Sequence, residues 1–493
     1  MTLEKFCELA KEYRIVPVYE RIAADLLTPV TAYLKVRSSE KISFLLESVE
    51  GIGRLARYSF IGVDPVEVIT NEHFDITIKK NGTSGKLTGN IFDYLQERIK
   101  EFHHPVIDDL PYFTGGLVGF IGFDNISLIE DVIPYNNKEK GISPDTILGL
   151  YKTIIVFDHF KHQIILITNV DCDEKTDCSE SYTKAKKELK QLKELLSRPV
   201  HHLSDFSSSP QKLTEAEEKE FCALVEESKK NIYAGDIFQI VLSKRFNADY
   251  SGDPFNVYRA LRMINPSPYM YFMEFEDGFK VIGTSPEDLL KVKNGKAEIL
   301  PIAGTRRRGK TEEEDIQLEK NLLADPKEIA EHTMLVDLAR NDLGRISKLG
   351  TVRISEQMRV NRFSHVMHIV SRVEGILDEN KDCIDALKAS FPAGTVSGAP
   401  KIRAIQLING FENTKRGVYA GAAGYIDFNG NLDLCIAIRT LFVTKDKIYW
   451  QAGAGIVADS RPELELKEIK NKSAVLISAL KLAEVIDENL GDR

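Results

Sequence analysis

The chain has 493 residues, 65 of them Lys or Arg and 74 Asp or Glu, for a formal net charge of −9, with 43% apolar and 28% charged residues. This is the balance of a folded globular protein with enough chain for a sizeable core, and it excludes disordered and fibrous classes. An acidic total argues against a duplex-binding protein, which meets phosphates with a basic surplus, so no nucleic-acid partner is expected.

In chain order, Met1 to Glu20 scatters Glu4, Lys5, Glu8, Lys11, Glu12 and Arg14 among its apolar residues and offers no signal-peptide core. No run of about 18 apolar residues occurs, so no membrane span is expected and the location reads as cytoplasmic. A helix is predicted near Ile91 to Phe102, and strands at Thr153–Phe157 and Gln163–Thr168. The spaced Gly116, Gly119 and Gly122 lack the Lys-Ser/Thr of a P-loop and read as sites of close packing. A charged helix over Lys184 to Leu196 ends where the composition breaks: Leu196 to Lys212 carries Ser204, Ser207, Ser208, Ser209, Pro199, Pro210, His201 and His202. This reads as a linker, 201–213, between an N-terminal domain, 1–200, and a second domain, 214–493. Thr214 with Glu217 makes a capping box for the next helix.

Further on, Arg306, Arg307, Arg308 and Lys310 run straight into Glu312 to Asp315 and read as a solvated loop. Tyr425 to Thr440 alternates around Asn429-Gly430, a strong hairpin signal. Gly453-Ala-Gly455 fits the loose dinucleotide pattern, but too little chain follows it for a nucleotide domain; it reads as a Gly-rich turn whose N–H groups could hold an anion. The six cysteines show no C-x-x-C spacing and read as buried thiols. Hairpins and helices interleaved without a βαβ rhythm predict an α+β fold with antiparallel sheets.

Two carboxylate pairs carry the chemistry. Asp325-Pro326, a cap followed by a first-turn proline, sets Glu328 and Glu331 three apart on one helix face, and Ser460 to Pro462 opens a second helix with Glu465 and Glu468 at the same spacing. Like charges at that distance repel, so each pair costs stability unless a cation or solvent screens it. If the faces meet, four carboxylates make a hard-cation site suited to Mg²⁺. His365, His368, Thr395, Tyr419, Arg439 and Lys472 stand mostly in Gly-rich or strand-like apolar sequence. An Arg, a Tyr, a Lys and a Gly-rich turn are the donors a small dicarboxylate needs.

The runs Pro301-Ile-Ala-Gly-Thr305, Asp325 to Asp342, Ser364-His-Val-Met-His368, Phe391 to Lys401 and Ala452 to Ser460 resemble those of the chorismate-utilising enzymes. Leu45-Leu-Glu-Ser48 and Arg57-Tyr-Ser-Phe60 are similar to the N-terminal domain of one branch, the large subunits (component I) of anthranilate synthases. The expected architecture is two interlocked subdomains, with mostly antiparallel sheets packed as a sandwich and helices outside. The resemblance implies a lyase that converts chorismate and ammonia to anthranilate and pyruvate, opening tryptophan biosynthesis. It implies Mg²⁺ held chiefly by Glu331 and Glu468, with Glu328 and Glu465 nearby. Tyr419 and Arg439 would hold the pyruvyl carboxylate, and Thr305, Gly453, Gly455 and Lys472 would support the substrate. Glu287 matches the acid that protonates the departing hydroxyl, His368 the residue of the second step, and Thr395 lies in a family motif.

Water-adding relatives carry a Lys base where this chain has Gln239, so ammonia is the expected nucleophile; aminodeoxychorismate synthases commonly carry a Lys nucleophile where this chain has Ala303. Arg307 stands where the family has Pro. None of the six cysteines sits in a glutaminase elbow, so a separate glutamine amidotransferase subunit (component II) is the expected ammonia source, making a hetero-oligomer. Feedback inhibition by tryptophan is implied at Glu47, Ser48, Pro268, Tyr269 and Met270. The rival readings are an aminodeoxychorismate synthase and a non-catalytic tryptophan-sensing subunit.

Overall fold

The computed structural model of the chain describes residues 1–38, 40–48, 57–80, 82–137, 141–174, 176–200, 203–362 and 366–487. His201, His202, Ser364 and His365 lie outside the described residues.

Runs such as Ile154-Ile155-Val156-Phe157 are apolar at every position rather than alternating, the pattern of a strand covered on both faces. Their parity sorts them into two cores. Ile154 and Val156 join Phe44, Phe60, Phe113, Phe120, Tyr151, Tyr271 and Phe442 in one cluster. Ile155 and Phe157 point the other way, into a cluster with helix residues such as Phe6, Leu189, Phe255 and Leu480.

The strands form two 12-stranded sheets, and every strand pairing within them is antiparallel. The aromatic cluster draws residues from both sheets and fills the space between them, with Phe60 and Phe113 edge-to-face at 5.2 Å. Helices cover the outer faces: Leu3–Leu9, Cys178–Ser197, Phe255–Ile264 and Pro462–Glu484 on one sheet, Ile91–Lys100, Pro326–Gly344 and Cys383–Ser390 on the other. The fold is therefore the α+β sandwich with outer helices expected from the sequence.

Both sheets mix strands from the two ends of the chain. In one, Ser43–Glu47 pairs with Tyr269–Glu274 (Met270 opposite Glu47); in the other, Gly116–Ile121 pairs with Ala422–Asp427 (Gly119 opposite Gly424). The second seam needs a glycine, since a Cβ on Gly116 would overlap the Ile426 carbonyl oxygen across it. The stretch read as a linker is not structureless. Ser207–Pro210 forms a strand on Ala248–Ser251, and Phe206 is buried beside it. Its Ser and Pro composition suits an edge strand, where small polar residues and a missing N–H are tolerated.

Helix Pro462–Glu484 buries Ile469, Ser473, Leu476, Leu480 and Ala483, spaced by three and four, and Ser473 Oγ accepts from Trp450 Nε1 at 2.7 Å. That stripe docks the helix on strand Lys447–Ile456 and leaves Glu465 and Glu468 on another face. Among the described residues no helix is long and apolar enough to cross a membrane. All six cysteines carry free thiols.

Candidate active site and a second cavity

Gly453 and Gly455 are strand residues, which corrects the reading of a Gly-rich turn. They lie in Lys447–Ile456, opposite Ser243 and Val241 of strand Gln239–Ser251. On the other edge, Thr440–Val443 pairs only as far as Trp450, so beyond it this edge has no strand partner among the described residues. The glycines admit neighbours instead of turning the chain. A Cβ on Gly453 would stand 2.6 Å from Tyr419 Oη, and one on Gly455 2.5 Å from Gln239 Nε2. Lys472 Nζ donates to the Gly453 carbonyl at 2.8 Å and pairs with Glu468 at 2.8 Å.

Around this strand stand the groups suited to a carboxylate substrate. Arg439 has a left-handed backbone (φ 48°), an unusual conformation for a residue with a side chain. Burial lowers its guanidinium pKa, the nearby Glu287 opposes that shift, and Arg439 makes no ion pair among the described residues. Burial pushes the Glu287 carboxyl up, against the pull of Thr395, Arg439 and Lys472. A carboxyl whose pKa burial raises is better suited to donate a proton to a leaving oxygen.

Tyr419 is buried and its hydroxyl is held well above the ordinary tyrosine range, chiefly by burial. Beneath its ring, 5.6 Å from the centroid, lies Arg416, which sequence reading passed over. Arg416 is 2% exposed and donates to Glu412 through Nε (2.8 Å) and Nη2 (2.7 Å), to the Val396 carbonyl (2.7 Å) and to the Val241 carbonyl (2.8 Å). Glu412 also accepts from Ser243 N and Oγ, both at 2.8 Å. One buried ion pair thus ties together the segments that bear Tyr419, Gln239 and Thr395. Arg416 lies beyond the end of helix Lys401–Phe411, so no helical spacing announced the pair.

His368 lies opposite Thr305 on paired strands, with its Nδ1 2.9 Å from the Gly304 carbonyl and 3.0 Å from Thr305 Oγ1. An Nδ1–H donated to that carbonyl leaves Nε2 as the basic nitrogen. Burial lowers the pKa of His368, so the ring is neutral near pH 7.

Glu331 and Glu468, on the two acidic helices, lie close enough for their charges to interact. Glu331 has a raised pKa, from burial first and then from Glu328 and from Glu468 across the gap. Glu465 is raised by burial and by Glu468, while Ser460 opposes the shift. Arg306 is not in a solvated loop: it is the next-to-last residue of strand Ile302–Arg307, donating to Glu328 at 2.7 Å and to the helix cap Asp325 at 2.7 Å. Its neighbours Arg307 and Arg308 pair with Glu314 and Asp315, so the charge run is internally neutralised. Among the described residues no three His, Cys, Asp or Glu side chains are grouped closely enough to hold a metal ion by themselves. Glu331 makes no ion pair among the described residues. That donor set, with Glu331 and Glu465 outside any ion pair among the described residues and Glu328 and Glu468 beside them, fits a hard cation that takes one or two protein carboxylates and keeps other oxygens.

Glu47, Ser48, Pro268, Tyr269 and Met270 line a separate cavity of 660 Å³, together with Tyr58, Phe60 and Tyr425. Glu47 accepts from Tyr258 Oη (2.5 Å) and Arg262 Nε (3.2 Å), and Asp433 from Tyr269 Oη (2.7 Å).

Comparison with known proteins shows the family of the chain. Residues 45–478 match the model of a family described as chorismate binding enzyme. Anthranilate synthase component 1 of Acetivibrio thermocellus is 43% identical over 98% of both chains, and that of Aquifex aeolicus is 42% identical over 99% of both. The crystal structure of anthranilate synthase component I from Streptococcus pneumoniae superposes with a TM-score of 0.75 at 40% identity, covering 93% of this chain and 99% of that one.

Proposed function

The chain belongs to the chorismate-binding enzymes, in the anthranilate synthase component I branch of lyases, and from that membership we propose the reaction and its residues. Chorismate is aminated at the ring by ammonia, its ring hydroxyl leaves as water, and pyruvate is then eliminated to give anthranilate. The observation that carries this reading is Arg439, a desolvated guanidinium with no ion-pair partner among the described residues, next to a buried carboxyl of raised pKa. Arg439 and Tyr419 hold the pyruvyl carboxylate, while Thr305, Lys472 and the Gly453 and Gly455 backbone support the substrate. Glu287 gives its proton to the departing hydroxyl. Gln239, an uncharged amide beside Gly455, cannot generate hydroxide, which favours ammonia over water. Thr395 steadies the Glu287 carboxyl. In the second step His368, neutral and basic at Nε2, takes the proton from the aminated carbon as enolpyruvate departs.

Mg²⁺ would be held by Glu331 and Glu468, with Glu328 and Glu465 alongside, and would neutralise the ring carboxylate of chorismate. Glu328 and Glu468 now face Arg306 and Lys472, so loading the site exchanges those partners. Ammonia comes from a glutamine amidotransferase subunit, component II, in a hetero-oligomer, and tryptophan occupies the 660 Å³ cavity as feedback inhibitor. Ala303, buried where a lysyl nucleophile would be needed, weighs against aminodeoxychorismate synthase. Incubating the chain with chorismate, Mg²⁺ and an ammonium salt should produce anthranilate fluorescence. An aminated product that retains its pyruvyl group would favour the rival enzyme, and chorismate binding without turnover would favour a sensing subunit.

A further inference from the structure

Five ionisable side chains that the proposed reaction does not use, Asp124, Asp145, Glu412, Lys415 and Arg416, lie buried together next to the turn that carries Tyr419. Taking such charges out of water costs several kcal/mol for each, and apolar side chains of the same size would stabilise the fold as well. What the charges add is a fixed arrangement, and much of it is made by the N-terminal part of the chain. Lys415 Nζ donates to Tyr135 Oη, lies 4.1 Å from the centroid of that ring and stands 3.7 Å from Asp145 Oδ1. Tyr135 Oη donates to Asp145 Oδ2 at 2.7 Å, and the same oxygen accepts from His73 N at 2.9 Å. The Arg416 guanidinium lies over the Phe123 ring, 4.6 Å from its centroid, as well as over Tyr419. Gly417 donates through its N to Asp124 Oδ2 at 2.7 Å, and its carbonyl accepts from Phe123 N at 2.8 Å. Three successive residues are thus each gripped by Phe123, Asp124, Tyr135 or Asp145, and Tyr419 N closes the turn by donating to the Arg416 carbonyl at 3.1 Å. The turn does not hold itself: Gly417 and Ala420, on either side of Val418 and Tyr419, have left-handed backbones (φ 56° and 63°), and at Ala420 that conformation persists only because the surroundings impose it.

We infer that the N-terminal part of the chain completes the substrate site: Asp124 and Tyr135 are positioning residues that set the Tyr419 hydroxyl against the pyruvyl carboxylate, acting through the turn Lys415 to Tyr419. The inference rests on the reading of Tyr419 as a substrate-holding group. It goes beyond that reading because every residue assigned to the reaction lies after the break at 201–213, whereas Asp124 and Tyr135 lie before it. A hydroxyl that holds a carboxylate works only when its support is fixed to within about 0.5 Å, and here the support comes from the other side of that break.

The test is the affinity of the whole chain for chorismate, measured by titration calorimetry with Mg²⁺ and no ammonium salt, in Asp124→Ala, Asp124→Asn and Tyr135→Phe, each made with Tyr419 present and in a Tyr419→Phe chain. With Tyr419 present, Asp124→Ala should weaken chorismate about tenfold and Tyr135→Phe about threefold, while Asp124→Asn, which keeps an acceptor for Gly417 N, should stay within about twofold of the parent. In the Tyr419→Phe chain the same substitutions should change the affinity by less than about twofold, because the hydroxyl they position is gone. A general loss of structure would weaken chorismate equally in both backgrounds. Equal weakening in the two, or no weakening by Asp124→Ala and Tyr135→Phe beside an intact Tyr419, would overturn the inference. Tyr135→Phe removes a single hydroxyl, so it decides the matter even where Asp124→Ala does not fold. Tyr419→Phe alone leaving chorismate affinity unchanged would instead overturn the reading of Tyr419, and the inference with it.

Discussion

The active site and the 660 Å³ cavity manage charge in opposite ways. Around Gly453, Arg439, Glu287 and Glu331 are desolvated with no ion-pair partners among the described residues, and their pKa values move away from the ordinary range. In the cavity Glu47 and Asp433 already have donors. Unpaired desolvated groups are poised for a substrate that must be polarised and protonated, whereas a wall whose carboxylates already have donors suits a ligand that is bound and released unchanged. Arg416 and Glu412 show how the first kind of site is afforded: a fully bonded pair beneath it holds three segments in place.

The comparison is broken most severely at the carboxylates. Glu331→Gln or Glu468→Gln should lower Mg²⁺-dependent anthranilate formation by more than about a hundredfold, since a divalent cation supplies several kcal/mol of charge stabilisation. The circular-dichroism melting curve should stay close to that of the parent. Glu287→Gln should cost about 10²–10⁴-fold in kcat. Its pKa is raised, so the parent's acid is loaded below that raised value and emptied as pH climbs through it. The parent kcat/KM should therefore fall on the alkaline side, and that fall should vanish from the residual activity of Glu287→Gln.

Glu412→Gln leaves Arg416 charged and buried without its partner, and should cost about 3–5 kcal/mol in urea unfolding. The smallest effect belongs to the cavity: Ser48→Ala removes one neutral hydroxyl and should raise the half-inhibiting tryptophan concentration about fivefold, with uninhibited turnover retained.

Local signals carried much of the architecture. Asn429-Gly430 is the hairpin, with Gly430 at φ 72°, Thr214 and Glu217 make the capping box, and Asp325 caps its helix. These features depend on a few adjacent residues. What local reading missed depends on distant ones. Gly453 and Gly455 look like a turn because glycine is common there; here they make room for Tyr419 and Gln239, which only the sheet brings near. Arg306 sits in a run of charges that suggests solvent, yet its partners are Asp325 and Glu328. Arg416 finds Val241 and Val396 through tertiary packing alone. Ser207–Pro210 reads as linker by composition and becomes a strand because Ala248–Ser251 offers it an edge.

The central claim is that helices Pro326–Gly344 and Pro462–Glu484 bring Glu331 and Glu468 together as a divalent-cation site that serves the substrate. Mn²⁺ titration followed by electron paramagnetic resonance, with and without chorismate, tests it directly. The account predicts one bound Mn²⁺ per chain whose affinity rises when chorismate is present and is lost in Glu331→Gln. Mn²⁺ binding that is indifferent to both chorismate and that substitution would contradict it.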